Sequence, residues 1–267
     1  MDRVTVLCFL ASYTAALALE LWHLFRPRPV LRLLGLGFGA AGFVAQTIYL
    51  AVQRPPLIWQ FGWMLFLAWI LAIFYLFGSI HHHRQAWAVF VLPLVLALVL
   101  IAAVFGGRPP EGAPEGLLSF QDAWGPLHAI LLFLATIGVC VGFLASIMYL
   151  FQASQLRSKT PPGKRLRLLS LERLEAMNRR AIDLAFPLLT AGVLVGLVRL
   201  AQDPVAGGTD PRVIAAGVLW LAFAVLVYLR YSYRLRGRKV ALLTIMTFVL
   251  LLGCLALSHP AGQGGGR

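Results

Sequence analysis

The sequence predicts an all-α fold, a polytopic integral membrane protein built as a bundle of about eight transmembrane helices. Its composition is the first reason: 60% of the 267 residues are apolar and only 12% are charged, about half the charged share of an ordinary soluble domain. The second reason is a series of apolar stretches of roughly 19 to 26 residues, each long enough to cross a bilayer at about 1.5 Å per residue. The third is that lysine and arginine concentrate in alternate loops, as they do in multi-pass proteins.

Proline and glycine clusters separate the stretches in order. Arg26-Pro27-Arg28-Pro29 ends the first, Arg54-Pro55-Pro56 ends the second, and Gly106-Gly107-Arg108-Pro109-Pro110 ends the fourth. We expect a single membrane domain over residues 1–260 and a disordered, glycine-rich tail over residues 261–267. The predicted spans are residues 4–25, 30–52, 58–78, 86–105, 126–151, 182–200, 213–233 and 240–258.

The distribution of basic residues predicts the orientation. Most of the 23 lysine and arginine residues lie in or beside loops one, three, five and seven, which should face the cytoplasm and leave both termini outside. Topology thus accounts for the net charge of +13, and no nucleic-acid partner is predicted. We expect a multi-pass protein of the cell's inner (cytoplasmic) membrane. A cleaved signal peptide is an alternative for the first stretch, because Ala16-Leu17-Ala18 resembles a cleavage site, although Met1-Asp2-Arg3 has no net charge.

Loop five, residues 155–181, is the longest predicted cytoplasmic piece. Apolar residues recur in it near the helical period, interleaved with arginine; they are Leu166, Leu169, Leu171, Leu174 and Met177. This pattern predicts an amphipathic helix over residues 163–181 that lies on the anionic inner leaflet. A helix that docks a partner protein is the alternative.

Two histidines lie at outer ends of predicted spans. His128 is one turn into the fifth span, and His259 ends the eighth span immediately before Pro260. Two neutral imidazoles on opposite sides of one iron atom make a low-spin haem site, and the helix N-terminus at His128 opposes protonation of that ring. The alternative for each histidine is a lone interfacial side chain, a common position for amphipathic rings.

Other polar residues are candidates for binding. Arg199 ends the sixth span and Arg212 begins the seventh, so either could pair with a haem propionate. The alternative for each is an interfacial arginine whose side chain extends to the lipid headgroups. The tract His81-His82-His83 lies in loop three, on the opposite side, where metal binding is an open possibility. Gln46, deep in the second span, is expected to hydrogen-bond across helices.

Several chemistries find no support in the sequence. It has no nucleophile–base motif, no phosphate loop and no zinc signature. Cys8, Cys140 and Cys254 lie inside apolar runs, and no CxxCH motif is present. We therefore expect neither a disulfide framework nor covalently attached c-type haem.

Four segments of the second half carry a resemblance to a known family. The first is Trp124-Gly125-Pro126-Leu127-His128, leading through Tyr149-Leu150-Phe151-Gln152 to residues 155–159, and the second is residues 171–180 followed by residues 186–192 and Gly196. The third is Asp210-Pro211-Arg212 with Trp220-Leu221 and Tyr228-Leu229-Arg230, and the fourth is residues 237–241 with the closing Leu257-Ser258-His259. In this order the chain resembles the cytochrome c assembly family of membrane proteins, the CcsA/ResC and CcmC group, and looks most similar to its HemX-like (YpjD) branch.

The resemblance implies a non-covalent haem b at the outer face, with His128 and His259 as the axial ligands of its iron. Trp124 and Asp210 lie in matching segments and join Arg199 and Arg212 as candidate cofactor contacts. A ResB-like membrane partner and apocytochrome c are implied as well, beside the lipid bilayer itself. The loop between Arg199 and Asp210 departs from the family, because it has no tryptophan where the family carries a tryptophan-rich segment.

We therefore expect a membrane factor in cytochrome c biogenesis or haem handling that acts as a carrier or assembly component. It is not expected to be an enzyme, and a lyase-associated role is the enzymatic alternative. A scaffold or regulatory subunit that binds no haem is the second function, because the loop tryptophans are missing. A small-solute transporter is the third function. It ranks last because transporters commonly have internal repeats and broken helices, whereas no clear internal repeat is visible here and breaks inside the spans are few.

Overall fold

A computed structural model gives the architecture of the chain. It describes residues 2–53, 62–81, 86–105, 124–158, 166, 168–202, 211–232 and 237–257. Within these ranges there are eight α-helices and no strand. The helices are α1 Asp2–Phe25, α2 Pro29–Gln53, α3 Gly62–His81, α4 Ala88–Phe105, α5 Trp124–Arg157, α6 Leu171–Gln202, α7 Pro211–Ser232 and α8 Arg238–Leu257.

The predicted all-α membrane architecture is confirmed. In the described part of the chain six helices, α1–α3 and α5–α7, are long and apolar enough to cross a bilayer, and α4 is a shorter apolar helix. The helices begin and end within about four residues of the predicted spans at every boundary but two. The two exceptions flank one connection, where α5 continues to Arg157 and α6 already begins at Leu171.

The first turns of α6 coincide with most of the predicted amphipathic segment. Residues 171–181 are helical and run on into the sixth span without a break, so the helix does not end at residue 181. Their arginine side chains are exposed, whereas Leu174 and Asn178 are buried against neighbouring helices. The charges thus cover one side of a helix whose other side continues the packing face of α6.

Two compact units, each of four helices, make up the chain. Unit 1 comprises residues 1–119 and 158–169, and unit 2 comprises residues 120–157 and 170–267. In unit 1, α1 packs against α2 and α4, and α3 packs against the same two helices. In unit 2, α5 packs against α6 and α8, and α7 packs against those two. The single membrane domain expected over residues 1–260 stays a prediction.

A buried amide joins three helices of unit 1. Gln46 on α2 is fully buried; its Oε1 accepts a hydrogen bond from the Tyr13 hydroxyl of α1 at 2.7 Å, and its Nε2 donates to the Leu65 carbonyl of α3 at 3.0 Å. Both polar ends of the amide are therefore satisfied inside the bundle. The prediction that Gln46 hydrogen-bonds across helices is confirmed.

An aromatic cluster ties α2 to α3, and we call it the α2–α3 clasp: Phe43, Thr47 and Trp69. The Trp69 indole N–H donates to Thr47 Oγ1 at 2.8 Å, and that hydroxyl donates to the Phe43 carbonyl at 2.8 Å. The rings of Phe43 and Trp69 stack with their centroids 5.7 Å apart. The polar end of the tryptophan thus finds an acceptor within an apolar interface.

Unit 2 contains the same cluster between α6 and α7, the α6–α7 clasp: Phe186, Thr190 and Trp220. The Trp220 indole N–H donates to Thr190 Oγ1 at 3.0 Å, Thr190 donates to the Phe186 carbonyl at 2.9 Å, and the two rings stack at 6.2 Å. The second and third helices of both units therefore share a three-residue motif. Three residues spread over two helices are too few to stand out as a repeat in the sequence.

The buried amide of unit 2 is more highly connected than that of unit 1. The two Nδ2 hydrogens of Asn178 on α6 are shared among three acceptors on α5 and α8, which are the Gly142 carbonyl at 3.1 Å, Ser146 Oγ at 2.8 Å and Thr244 Oγ1 at 3.2 Å. The Oδ1 atom of Asn178 accepts a hydrogen bond from the buried Arg230 of α7 at 3.0 Å. One side chain therefore links all four helices of the unit.

Candidate functional site

The candidate site lies at one end of unit 2, which we call the His128 end: α5 and α7 begin there, and α6 and α8 end there. Helices α5 and α6 are antiparallel along their lengths. Asn178, near the start of α6, contacts Gly142 and Ser146 late in α5, whereas His128, early in α5, contacts Gly192 near the end of α6. The long α5–α6 pair thereby places the first turns of α5 beside the last turns of α6.

The His128 ring is half-buried and oriented by the backbone of α6. Its Nδ1 lies 2.7 Å from the carbonyl oxygen of Gly192. A carbonyl can only accept, so Nδ1 carries the hydrogen in this bond. The neutral ring then has its lone pair on Nε2, which is the atom left to bind a metal.

One glycine of α6 makes room for this ring, and a second, one turn earlier, makes room for a leucine of α5. A Cβ on Gly196 would lie 2.8 Å from Cε1 of His128 and 3.1 Å from its Nδ1. A Cβ on Gly192 would lie 2.7 Å from Cδ2 of Leu132, the residue one turn after His128. Both distances are below van der Waals contact, so a side chain at Gly196 would have to displace the imidazole, and one at Gly192 would have to displace the end of the Leu132 side chain. Neither glycine has a role predicted from the sequence, because only the packing of α5 against α6 shows which side chain each of them faces.

Helix α8 runs toward the same end. Phe143 of α5 stacks on Phe248 of α8 with centroids 3.9 Å apart, and a Cβ on Gly142 would lie 3.5 Å from Thr244. Further along, Gly237, immediately before α8, faces the Tyr149 hydroxyl near the end of α5. The two helices are thus antiparallel, and α8 leads toward the first turns of α5. His259 itself comes after the last described residue of α8 and lies outside the described residues.

The other predicted contacts are placed only in part. Trp124 is the first residue of α5 and is exposed, and Arg199 is exposed three positions after Gly196 on α6. Arg212 is the second residue of α7, and its side chain is not described; Asp210 lies outside the described residues. The structure therefore brings His128 together with two glycines of α6. The pairing of His128 with His259 and the four other contacts stay predictions.

The histidine tract of loop three is represented by His81 alone, at the end of α3. Its Nδ1 lies 3.1 Å from the Phe77 carbonyl, and its ring stacks on Phe77 at 4.1 Å. His82 and His83 lie outside the described residues. Within the described ranges, no group of three His, Cys, Asp or Glu side chains is arranged to hold a metal ion.

Comparisons with known proteins match most of the chain. The family model described as cytochrome C assembly protein matches residues 58–261. A protein of Synechococcus sp. (strain JA-2-3B'a(2-13)) named cytochrome c biogenesis protein CcsA is 26% identical over 297 residues, covering 85% of this chain and 83% of that protein. Proteins of the same name from Mesostigma viride and Chlamydomonas reinhardtii are 21% and 24% identical, over 99% and 75% of this chain and over 97% and 57% of their own lengths. No solved structure matches the chain.

Proposed function

Because the chain belongs to the cytochrome c assembly family, we propose that it serves cytochrome c biogenesis by holding haem b non-covalently at the outer face of the inner membrane. His128 and His259 are the proposed axial ligands of the iron. The protein is an assembly factor or carrier in this proposal, with apocytochrome c and a ResB-like membrane protein as partners. Membership of the HemX-like branch belongs to the proposal as well.

The observation that carries the proposal is the hydrogen bond from His128 Nδ1 to the Gly192 carbonyl. Histidines that bind metals almost always donate their other ring N–H to a carbonyl or carboxylate, which fixes the tautomer and the orientation of the ring. His128 makes this second hydrogen bond to the backbone of α6. A histidine that served only as an interfacial polar residue would not require a glycine of the neighbouring helix packed against its ring.

The residues at the His128 end suit the chemistry of the cofactor. Haem supplies an iron atom that takes two axial ligands and two propionates that pair with cations. His128 offers a nitrogen lone pair, and Arg199, exposed near the end of α6, offers a guanidinium at the same end. Trp124 offers an exposed aromatic face there. Arg212 is the second residue of α7, and Asp210 directly precedes that helix in the sequence, so both belong to the proposal as further contacts.

A second function is favoured by one departure from the family pattern. The loop between Arg199 and Asp210 has no tryptophan, so the aromatic shelf expected beside the haem is missing from it. A scaffold or regulatory subunit that binds no haem would not need this shelf. Wild-type protein that is purified without a haem spectrum, despite adequate haem supply, would identify this second function.

Absorption spectroscopy of the purified protein tests the first proposal. A site with two imidazole ligands predicts a low-spin spectrum with split α and β bands in the reduced state. His128→Ala should give high-spin or weakly bound haem, and His128→Ala with His259→Ala should abolish binding, because the arginines cannot ligate iron. The matched control replaces His81, His82 and His83 together and should leave the spectrum unchanged. A normal low-spin spectrum in the double variant would refute the ligand assignment.

The outer location needs a separate test, which rests on the charge distribution. A reporter fused after Arg267 should be active only outside the cytoplasm, and one inserted between residues 158 and 166 should be active only inside. A cytoplasmic carboxyl terminus would move the His128 end to the inner face. It would leave the ligand chemistry intact but reverse the side on which haem is held.

A further inference from the structure

We propose that the carbonyl of Gly192 and the missing side chain of Gly196 together position the His128 ring as its Nδ1–H tautomer and thereby make Nε2 the iron-binding atom. This inference rests on the proposed function and deepens it. It assigns a task to two residues of α6 that are not themselves ligands of the iron. We call the two glycines, with the Gly192 carbonyl, the α6 seat.

The first element of the seat is the carbonyl of Gly192. It lies one helical turn before Gly196 and therefore also belongs to the hydrogen-bond ladder of α6, but a carbonyl has two lone pairs and can accept from both partners. Its 2.7 Å contact with Nδ1 is short for a neutral N–H···O bond. A backbone acceptor in a rigid helix can neither rotate away nor turn into a donor, so it selects the tautomer permanently.

The second element is the missing side chain at Gly196. The three atoms nearest to a Cβ built there are Cε1, Nδ1 and Nε2 of His128, at 2.8, 3.1 and 3.8 Å. No other residue comes nearer, so the bare backbone of Gly196 serves as the surface against which the imidazole packs. Alanine at this position would push the ring away from α6 and lengthen the bond to Gly192.

The requirement for glycine is local to the seat. Gly217, on α7 of the same unit, would place a Cβ in open space, with nothing within 4 Å. Alanine has the higher helix propensity at both positions, so a loss seen in Gly196→Ala and not in Gly217→Ala cannot come from propensity. Gly217→Ala is therefore the matched control.

The tautomer of His128 can be read in protein without haem. Long-range ¹⁵N–¹H spectra of histidine-labelled protein distinguish the two neutral tautomers, and comparison with His128→Gln assigns the signal. We expect the Nδ1–H form in the wild type and in Gly217→Ala, and a shift toward the Nε2–H form in Gly196→Ala. The Nε2–H form in the wild type, or an unchanged tautomer in Gly196→Ala, would overturn the inference.

A second experiment keeps the seat intact and replaces the ligand. In His128→Gly, added imidazole and added 1-methylimidazole can both bind iron through one nitrogen, but only imidazole has an N–H to donate to Gly192. Because loss of such an outer hydrogen bond costs roughly 10–100-fold in metal affinity, imidazole should restore the low-spin spectrum at about tenfold or more lower concentration. Equal concentrations would show that the Gly192 carbonyl contributes nothing.

The two experiments separate failure of this inference from failure of the proposed function. If wild-type protein binds no haem, the proposed function is wrong, whatever the tautomer of His128. If wild-type protein shows low-spin haem that depends on His128, yet Gly196→Ala has an unchanged spectrum and tautomer, only the role of the seat is wrong. If Gly196→Ala fails to fold, the comparison of imidazole with 1-methylimidazole in His128→Gly still tests whether the Gly192 carbonyl contributes to iron binding.

Discussion

The α2–α3 pair of unit 1 and the α6–α7 pair of unit 2 are held by the same Phe–Thr–Trp clasp, yet the residues just beyond the clasp differ. Two and six residues after Thr47, α2 carries Tyr49 and Gln53; two and six residues after Thr190, α6 carries Gly192 and Gly196. Tyr49 fills the space toward α1 and contacts Phe9 with ring centroids 5.7 Å apart. Gly196 leaves that space to a side chain of the neighbouring helix, which is His128, and Gly192 offers its carbonyl oxygen to the same ring.

This comparison separates architecture from function. The clasp sets the spacing of two helices in both units and therefore indicates nothing about haem. The glycines change only which helix supplies the ring at the interface. In unit 1 the ring is a tyrosine of the second helix that packs on the first; in unit 2 it is a histidine of the first helix with a nitrogen lone pair.

The largest expected effect concerns the buried amides, which also differ between the units. Asn178→Leu should cost about 2–4 kcal/mol of unfolding free energy, because it removes the charge-assisted hydrogen bond from the 8% exposed Arg230 together with the bonds to α5 and α8. Unfolding by SDS in mixed micelles measures this free energy. Retention of full stability would show that the four-helix link is not needed.

Gln46→Leu in unit 1 is the counterpart and should cost less, about 1–3 kcal/mol. It removes one neutral side-chain bond to Tyr13 and one to a carbonyl, and it strands no charge. The same unfolding assay gives the comparison. A cost equal to that of Asn178→Leu would mean that the charge of Arg230 does not decide the difference between the units.

Sequence reasoning could predict these helices but not these links. Apolar length alone gave the spans, and a lone polar residue in an apolar run was enough to expect that Gln46 bonds across helices. The partners of Asn178 lie 36 and 66 positions away on α5 and α8, and no local pattern encodes such distances. Its neighbours Arg179 and Arg180 are exposed, so the segment looked like a solvated surface helix.

The candidate site was predictable to a similar degree. Position at a span end was sufficient to single out His128. The role of Gly192 and Gly196 could not be predicted, because the role of a glycine in a helix depends on the side chain that the facing helix packs against it. That side chain is known only once α5 and α6 are packed together.

The next prediction tests whether every aromatic ring that packs on a glycine affects haem binding, or only the ring of His128. In unit 1, a Cβ on Gly39 would lie 2.5 Å from Cε1 of Tyr75. Gly39→Ala should therefore cost about 1–3 kcal/mol through overpacking, while the haem spectrum stays that of the wild type. SDS unfolding and absorption spectra of the same preparation supply both readouts. Loss of haem in Gly39→Ala would mean that the spectrum reports general packing, and it would remove the distinction drawn between the two units.

The smallest expected effect is the one that must be equal in both units. Trp69→Phe and Trp220→Phe each remove an indole N–H that donates to a threonine hydroxyl, at 2.8 and 3.0 Å. Hydrogen bonds between membrane helices contribute about 0.6 kcal/mol on average, so each coupling should be about 0.5–1.5 kcal/mol. Because phenylalanine is also smaller, the coupling is isolated by double-mutant cycles with Thr47→Val and Thr190→Val, measured by the same SDS unfolding.

Equal couplings, together with an unchanged His128 tautomer in Trp220→Phe, would establish the clasp as shared architecture. A coupling confined to unit 2, or a tautomer that shifts in Trp220→Phe, would instead make the α6–α7 clasp part of the His128 site, since Thr190 lies only two residues before the Gly192 carbonyl.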